Sequence, residues 1–203
     1  MIEALSALLG RDVPRETFEK LEAYARLLLE ASAEQNLIAA STIPGLWQRH
    51  IFDSAQLVVH APPGKWVDIG SGAGLPGIVT AILTGEPTTL VEPRRLRAQF
   101  LKRVCEQLCL TSITVIHGKP SLIDGKYTTI TARAVGSAVD LLRMTLHLSR
   151  HGTIWLLPKG KGAQMELDEV RATWHGEFRL VRSRTDDQAS ILIANAVHPR
   201  GKQ

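Results

Sequence analysis

Asp68-Ile69-Gly70-Ser71-Gly72-Ala73-Gly74 follows a short apolar run and leads through Leu75-Pro76-Gly77 into another. Glycines between a strand and a helix let the backbone approach a ligand closely and aim the helix N-terminus at it, which suits nucleotide-type molecules. Glu92 closes the next apolar run, about 20 residues on, where a carboxylate can accept hydrogen bonds from ribose hydroxyls.

The glycines fit two registers. Asp68-x-Gly70-x-Gly72-x-Gly74 is typical of S-adenosylmethionine binders, whereas Gly72-x-Gly74-x-x-Gly77 matches the dinucleotide fingerprint of an NAD(P)-dependent oxidoreductase. A bare strand–helix turn would also use glycines. Asp68 favours the first register, because a carboxylate there repels a pyrophosphate but suits a ligand carrying ammonium and sulfonium charge. Pro76 adds weight by removing an N–H that a diphosphate would use.

Basic residues cluster nearby. Arg94 to Arg103 contains five bases and no acid, immediately after Glu92. Lys119, Arg133 and Lys159 each follow or end a further apolar run, positions that share the carboxyl edge of a parallel sheet, where ligands bind. A polyanion such as RNA fits that rim, its backbone positioned by Arg and Lys. The alternatives are a solvated helix face for the run and structural ion pairs for Arg133 and Lys159. A non-catalytic RNA-binding protein would also carry such a rim.

These groups need a scaffold to position them. A chain of 203 residues, 44% apolar, buries one full core and is short for two enzyme-sized domains. The net charge of +4 permits an anionic partner without requiring one. Two helical stretches, Pro14 to about Ala33 and Pro44 to His60, form an N-terminal helical cap over residues 1–62, ended by Pro62-Pro63-Gly64. Residues 63–203 then alternate: strand Lys65–Gly70, helix Pro76–Leu83, strand Thr88–Glu92, helix Arg94–Cys109, strand Ser112–His117, strand Thr128–Val135, helix Ala138–Ser149, strand Gly152–Leu157 and helix Ala163–Trp174. The pattern predicts an α/β, Rossmann-like, mostly parallel twisted sheet with helices on both faces. Phe178–Arg182 and Ala189–Val197 have no helix between them and should pair antiparallel at one edge.

Cys105 and Cys109, four apart on an expected helix, share a face, look inward and form no disulfide framework. With no run reaching the roughly 18 apolar residues of a membrane span, a cytoplasmic, membrane-free chain is expected. His50 and Asp53 lie three apart in the cap and read as a structural hydrogen bond to the main domain ahead of a metal or acid–base pair, and no metal site is expected. Trp47, Trp66, Trp155 and Trp174 sit in periodic apolar segments and read as packing.

The acceptor chemistry follows by elimination. Enzymes that methylate an exocyclic amine carry an Asn/Asp-Pro-Pro-aromatic turn after the fourth strand, where this chain has Thr131-Ala132-Arg133-Ala134. Pyrimidine-carbon methylation needs a cysteine nucleophile in an equivalent loop, and both cysteines lie elsewhere. What remains is an atom already nucleophilic, such as a purine ring nitrogen, which needs positioning and no general base.

Asn36-Leu37, Arg49-His50-Ile51-Phe52-Asp53-Ser54, Asp68 to Gly77, Arg97 with Phe100-Leu101, Ala132-Arg133-Ala134 and Lys159-Gly160 together resemble the bacterial 16S ribosomal RNA guanine-N7 methyltransferase family, glucose-inhibited division protein B. The resemblance implies a class I S-adenosylmethionine methyltransferase acting on one guanine of 16S ribosomal RNA in the small subunit. It implies that Gly70 and Leu75 line the cofactor pocket, with Gly72 and Gly74 in the same loop. It further implies that Pro120 and Ser121 contact the adenine, that Glu92 takes the ribose, and that Arg133 lies beside the transferring methyl as the catalytic residue. Arg97, Lys119 and Lys159 occupy the family's RNA-contact positions. The chain departs from the family at Ala31-Ser32, at Pro120-Ser121 and at Val135. Nothing in the sequence asks for an obligate partner subunit, so a monomer is expected.

Overall fold

The computed structural model describes residues 1–200. Its strands are β1 (Trp66–Ile69), β2 (Thr88–Glu92), β3 (Ile113–His117), β4 (Thr129–Ala132), β5 (Ile154–Lys159), β6 (Trp174–Arg182) and β7 (Ser190–Pro199). They form one sheet in the order β3-β2-β1-β4-β5-β7-β6. β1 to β5 run parallel, and β7 is antiparallel to both β5 and β6. The expected mostly parallel sheet with an antiparallel edge is the fold observed.

The central strands β1 and β4 are buried along their whole length, as a parallel sheet covered on both faces demands. On one face lie α4 (Gly77–Thr84), α5 (Arg95–Gln107), α1 (Ile2–Leu9) and α2 (Arg15–Gln35), contributing Leu5, Leu21, Leu28, Ile78 and Leu101 to a core shared with Leu90 of β2. On the other lie α6 (Ala138–Thr145) and α7 (Ala163–Thr173), whose Leu141, Leu142, Leu167 and Val170 meet Val67, Ile69 and Trp155. The first core is continuous across residue 62, so the cap helices bury their stripe against the sheet's own helices.

Several boundaries differ from expectation. Pro44–His60 is not one regular helix: Ala40–Gly45 is a 3-10 turn, Trp47–Phe52 a π-helical segment, α3 (Asp53–Ala55) a short α-turn and Val58–His60 a second 3-10 turn. Pro44 has no N–H for a helical ladder, and Ser54 Oγ donates to His50 O at 2.6 Å, competing for a carbonyl the ladder would use. β6 begins at Trp174, directly from α7, and not at Phe178. Gly176, at φ 154°, takes the register shift between His175 and Glu177, where an added Cβ would meet Asn195 O at 2.9 Å. Helix α5 ends at Gln107, so Cys109 (φ 50°) is exposed in the following turn and shares no face with half-buried Cys105. Trp66, Trp155 and Trp174 are buried, and Trp47 stacks on Phe18 with ring centroids 5.3 Å apart, all as packing residues. No helix among the described residues is long and apolar enough to cross a membrane.

Candidate active site

The glycine loop is held by side-chain bonds from Asp68, Glu92 and Tyr24. Asp68, at the third position of β1, is 1% exposed; its Oδ2 accepts from Gly77 N at 3.3 Å and its Oδ1 from Thr131 Oγ1 at 2.8 Å. Burial pushes its pKa from 3.8 to about 6, against the pull of bonds from Thr131, Ser71 and Gly77 and the charge of Arg133. The carboxylate therefore staples β1 to the start of α4, and in this arrangement its oxygens point into protein. Glu92, 3% exposed at the end of β2, accepts from Gly72 N and from Arg94 N, each at 2.8 Å. Tyr24, wholly buried on α2, donates from its hydroxyl to Ala73 O at 2.8 Å, and burial drives its phenol pKa upward. Thus a cap helix grips the loop backbone directly.

This geometry separates the two glycine registers. A diphosphate needs free N–H groups at the helix start. Here Pro76 has none, the N–H of Gly77 is spent on Asp68, and that of Ile78 on Gly74 O at 2.8 Å. Gly77 is a packing glycine, since an added Cβ would collide with Leu90 Cδ2 and lie 2.8 Å from Asp68 Oδ2. Gly72, at φ 56°, is different: a Cβ there would meet only Arg97 Nη1 at 3.6 Å and Gly70 O at 3.7 Å. The backbone at Gly72 is covered by the movable tip of a long side chain. Leu75 and Pro120 are buried and Ser121 is exposed.

Across the sheet, just past β4, Arg133 is held by the cap. Its Nη1 lies 3.4 Å from Asp53 Oδ2, and its Nη2 lies 3.5 Å from His50 Nδ1. Arginine only donates, so Nδ1 is the acceptor and the proton of neutral His50 sits on Nε2, facing Thr42 Oγ1 at 2.8 Å. Burial, reinforced by the Arg133 charge, lowers the pKa of His50 to about 4. Asp53 Oδ1 accepts from Thr185 Oγ1 and from Gln56 Nε2, each at 2.8 Å. Buried Gln56 in turn donates to Ser183 Oγ and accepts from Arg184 N at 2.8 Å. The cap thus ties Arg133 to the turn joining β6 and β7, and the bond expected from His50 and Asp53 to the main domain is formed.

The basic residues divide. Lys119, Arg94, Arg95, Lys102 and Arg103 are exposed and Arg97 is half-buried over the glycine loop. Lys159, expected at the RNA, is engaged within the protein: its side chain is 8% exposed, its Nζ lies 2.7 Å from Glu166 Oε2 and donates to Gly136 O at 3.0 Å. Its charge joins β5 to α7, the structural ion pair weighed as the alternative. Tyr24, Gln56, Thr131 and Thr185 escaped sequence reading. None of them leaves a local signal, since each meets its partner only in the folded chain.

A sheet of this order, with its glycine loop after β1 and a carboxylate ending β2, has the Rossmann-like fold of class I S-adenosylmethionine methyltransferases. The family described as GidB, rRNA small subunit methyltransferase G, matches residues 17–185, and the chain belongs to it. It is 43% identical over 206 residues to ribosomal RNA small subunit methyltransferase G of Rhizorhabdus wittichii, covering 98% of this chain and 94% of that one. The same-named protein of Zymomonas mobilis is 42% identical, over 93% of this chain and 90% of its own. Among solved structures, a mutant of MtNAS in complex with S-adenosylmethionine superposes with a TM-score of 0.59 at 17% identity, over 96% of this chain and 84% of that one, a likeness of fold. Family and fold favour the methyltransferase register over the oxidoreductase and non-catalytic readings.

The residues fit the cofactor. A carboxylate has about four acceptor sites; Glu92 spends one on each oxygen, which leaves capacity for two ribose hydroxyls.

Proposed function

We propose that the chain methylates N7 of one guanine in the 16S ribosomal RNA of the small subunit, acting as a monomer in the cytoplasm, with residues 1–62 as cap and 63–203 as the methyltransferase domain. The observation that carries the chemistry is Arg133, a guanidinium beside the glycine-loop strand whose neighbours include no free base. His50 is neutral with Nδ1 turned to Arg133, and Asp53 is engaged on both oxygens. Such a site cannot readily strip a proton from an amine or activate a nucleophile, but it suits an acceptor whose lone pair is already available.

In this reading, Glu92 holds the ribose, Gly70, Gly72, Gly74 and Leu75 shape the pocket, Pro120 and Ser121 flank the adenine, and Asp68 keeps the loop in shape. Glu92 and the glycine loop would hold S-adenosylmethionine, which would supply an electrophilic methyl on a positively charged sulfur, and guanine N7 carries an in-plane lone pair that needs no deprotonation by the chain's residues to accept it. Arg133 orients the acceptor through its fork, which matches the O6 edge of guanine or a neighbouring phosphate. Arg97 and Lys119, with the exposed bases of α5, position the RNA backbone.

Protein incubated with methyl-labelled S-adenosylmethionine and unmodified small-subunit RNA is expected to label one guanine, located by mass spectrometry. Absence of transfer to RNA and to small subunits alike overturns the proposal. Arg133→Ala is expected to lower turnover at least 100-fold with RNA affinity changed less than threefold, because salt-dependent binding is spread over many bases.

A further inference from the structure

A cleft of about 290 Å³ opens on the carboxyl edge of the sheet, between the ends of β5 and β7, the β6–β7 turn and the cap. Asp53 belongs both to this cleft and to the Arg133 contact, so the cleft adjoins the guanidinium without sharing the glycine loop. Among its lining residues, Asp53, Gln56 and Thr185 are consumed by one another, and Lys159 by Glu166. Two charged side chains remain. Asp186 accepts from Gln188 N at 2.9 Å on Oδ1, while its Oδ2 has no protein donor among the described residues. Arg49 has no ion-pair partner among them.

We propose that this cleft receives the acceptor guanine, with Asp186 reading its Watson–Crick edge and Arg49 placed for an adjoining phosphate or carbonyl. The inference rests on the guanine-N7 reading above. The lining carries two carboxylates and two cations, so it offers no net positive charge to hold a phosphate as the occupant. A base with adjacent N–H donors satisfies an exposed carboxylate through two parallel bonds. Guanine alone among the four RNA bases offers two adjacent donors on that edge, N1–H and the N2 amine; adenine and cytosine place an acceptor beside their donor, and uracil flanks its single donor with carbonyls. A base gripped at N1 and N2 of its Watson–Crick edge also leaves N7, on the Hoogsteen edge, free for reaction, and enzymes that splay a base out of its stack read it by hydrogen bonds to its Watson–Crick edge. Asp53 would then anchor Arg133 at the inner end of the cleft, with the guanidinium toward the O6 side of the base, and the β6–β7 turn would be the part of the fold that distinguishes guanine.

The test replaces the mapped acceptor guanine of small-subunit RNA, by ligation, with inosine, which keeps N7 and N1–H but lacks the N2 amine. Wild-type protein is expected to methylate the guanine RNA at least tenfold faster in kcat/KM than the inosine RNA. Asp186→Ala, at an exposed turn position, is expected to lose about as much on guanine and to treat the two RNAs alike within twofold. Ala189→Trp, which fills the cleft, is expected to lower transfer at least 100-fold while S-adenosylmethionine affinity and thermal midpoint stay at wild-type values. Discrimination by Asp186→Ala equal to wild type, or normal turnover by Ala189→Trp, overturns the cleft assignment while leaving guanine-N7 transfer standing. Failure of wild-type protein to methylate the guanine RNA, with cofactor bound, overturns the underlying reading and the cleft with it.

Discussion

The two halves of the carboxyl edge are built differently. On the glycine-loop side, most bonds end on the backbone of the loop itself: Asp68 accepts from Gly77 N, Glu92 accepts from Gly72 N, and Tyr24 donates to Ala73 O. On the Arg133 side, side chains bond to side chains from remote segments: Arg133 to Asp53 across 80 residues, Gln56 to Ser183 across 127 and Asp53 to Thr185 across 132. Backbone bonds fix a loop's shape, so damage there should unfold the pocket. Long-range side-chain bonds fix one group's position, so damage there should cost turnover while sparing fold and cofactor.

The largest expected effect tests the first half. Gly77→Ala forces a Cβ against Leu90 and Asp68, and overpacking of this kind costs about 2–3 kcal/mol. Urea denaturation should show that loss, and calorimetry a fall in S-adenosylmethionine affinity of at least tenfold; a variant as stable and as tight as wild type removes Gly77 from the packing argument. Glu92→Gln should come next. It keeps the side chain's size, but its amide nitrogen cannot accept from Gly72 N or Arg94 N, so one buried N–H loses its partner at a cost of about 1–3 kcal/mol in stability, and cofactor affinity is expected to fall about 30-fold. Equal affinity in calorimetry dissociates Glu92 from the ribose.

Asp53→Ala then probes the second half. The ion pair is partly exposed on both sides, 22% for Arg133 and 19% for Asp53, so its removal is expected to cost only about 1 kcal/mol in stability. Because Arg133 loses its anchor, turnover should fall about tenfold while cofactor affinity holds, a split visible in kcat against cofactor Kd. A fall in cofactor affinity as large as that of Glu92→Gln erases the contrast between the halves.

The same contrast explains what could be read from sequence. The alternation after residue 62, the strand ends and the Asp68–Gly74 and Glu92 pairing are local patterns, and a parallel sheet brings consecutive strand ends to one edge. Residues joined only by the folded chain leave no local mark. Gln56 and Thr185 look like ordinary surface polar residues, Tyr24 like one more apolar step of α2, and Lys159 like a free cation until α7 supplies Glu166. The π-helical turn at Trp47–Phe52 is equally silent, because its apolar spacing matches an α-helix.

The smallest effect on turnover near neutral pH comes from two titrating groups, one in each half, whose linkages oppose one another. Asp68 has its folded pKa raised to about 6 above an ordinary 3.8, so between these values the folded state keeps a proton that the unfolded chain releases. Its contribution falls as pH rises from 3.8 to about 6, and the full penalty stands above that. His50 is lowered to about 4 from 6.5, so there the unfolded chain holds the extra proton, and its contribution is lost as pH falls from 6.5 towards 4. Asp68→Asn can keep both bonds, with its oxygen on Gly77 N and its amide donating to a reoriented Thr131 hydroxyl, which isolates the charge. Its stability should exceed wild type above pH 6 and converge with it towards pH 4. His50→Asn, which keeps an acceptor for Arg133, should converge with wild type in the opposite direction, its deficit largest above pH 6.5 and shrinking in acid. Urea midpoints measured from pH 4 to 7.5 decide the matter, because parallel curves for either variant and wild type would mean that the substituted group does not titrate across that window in the folded protein.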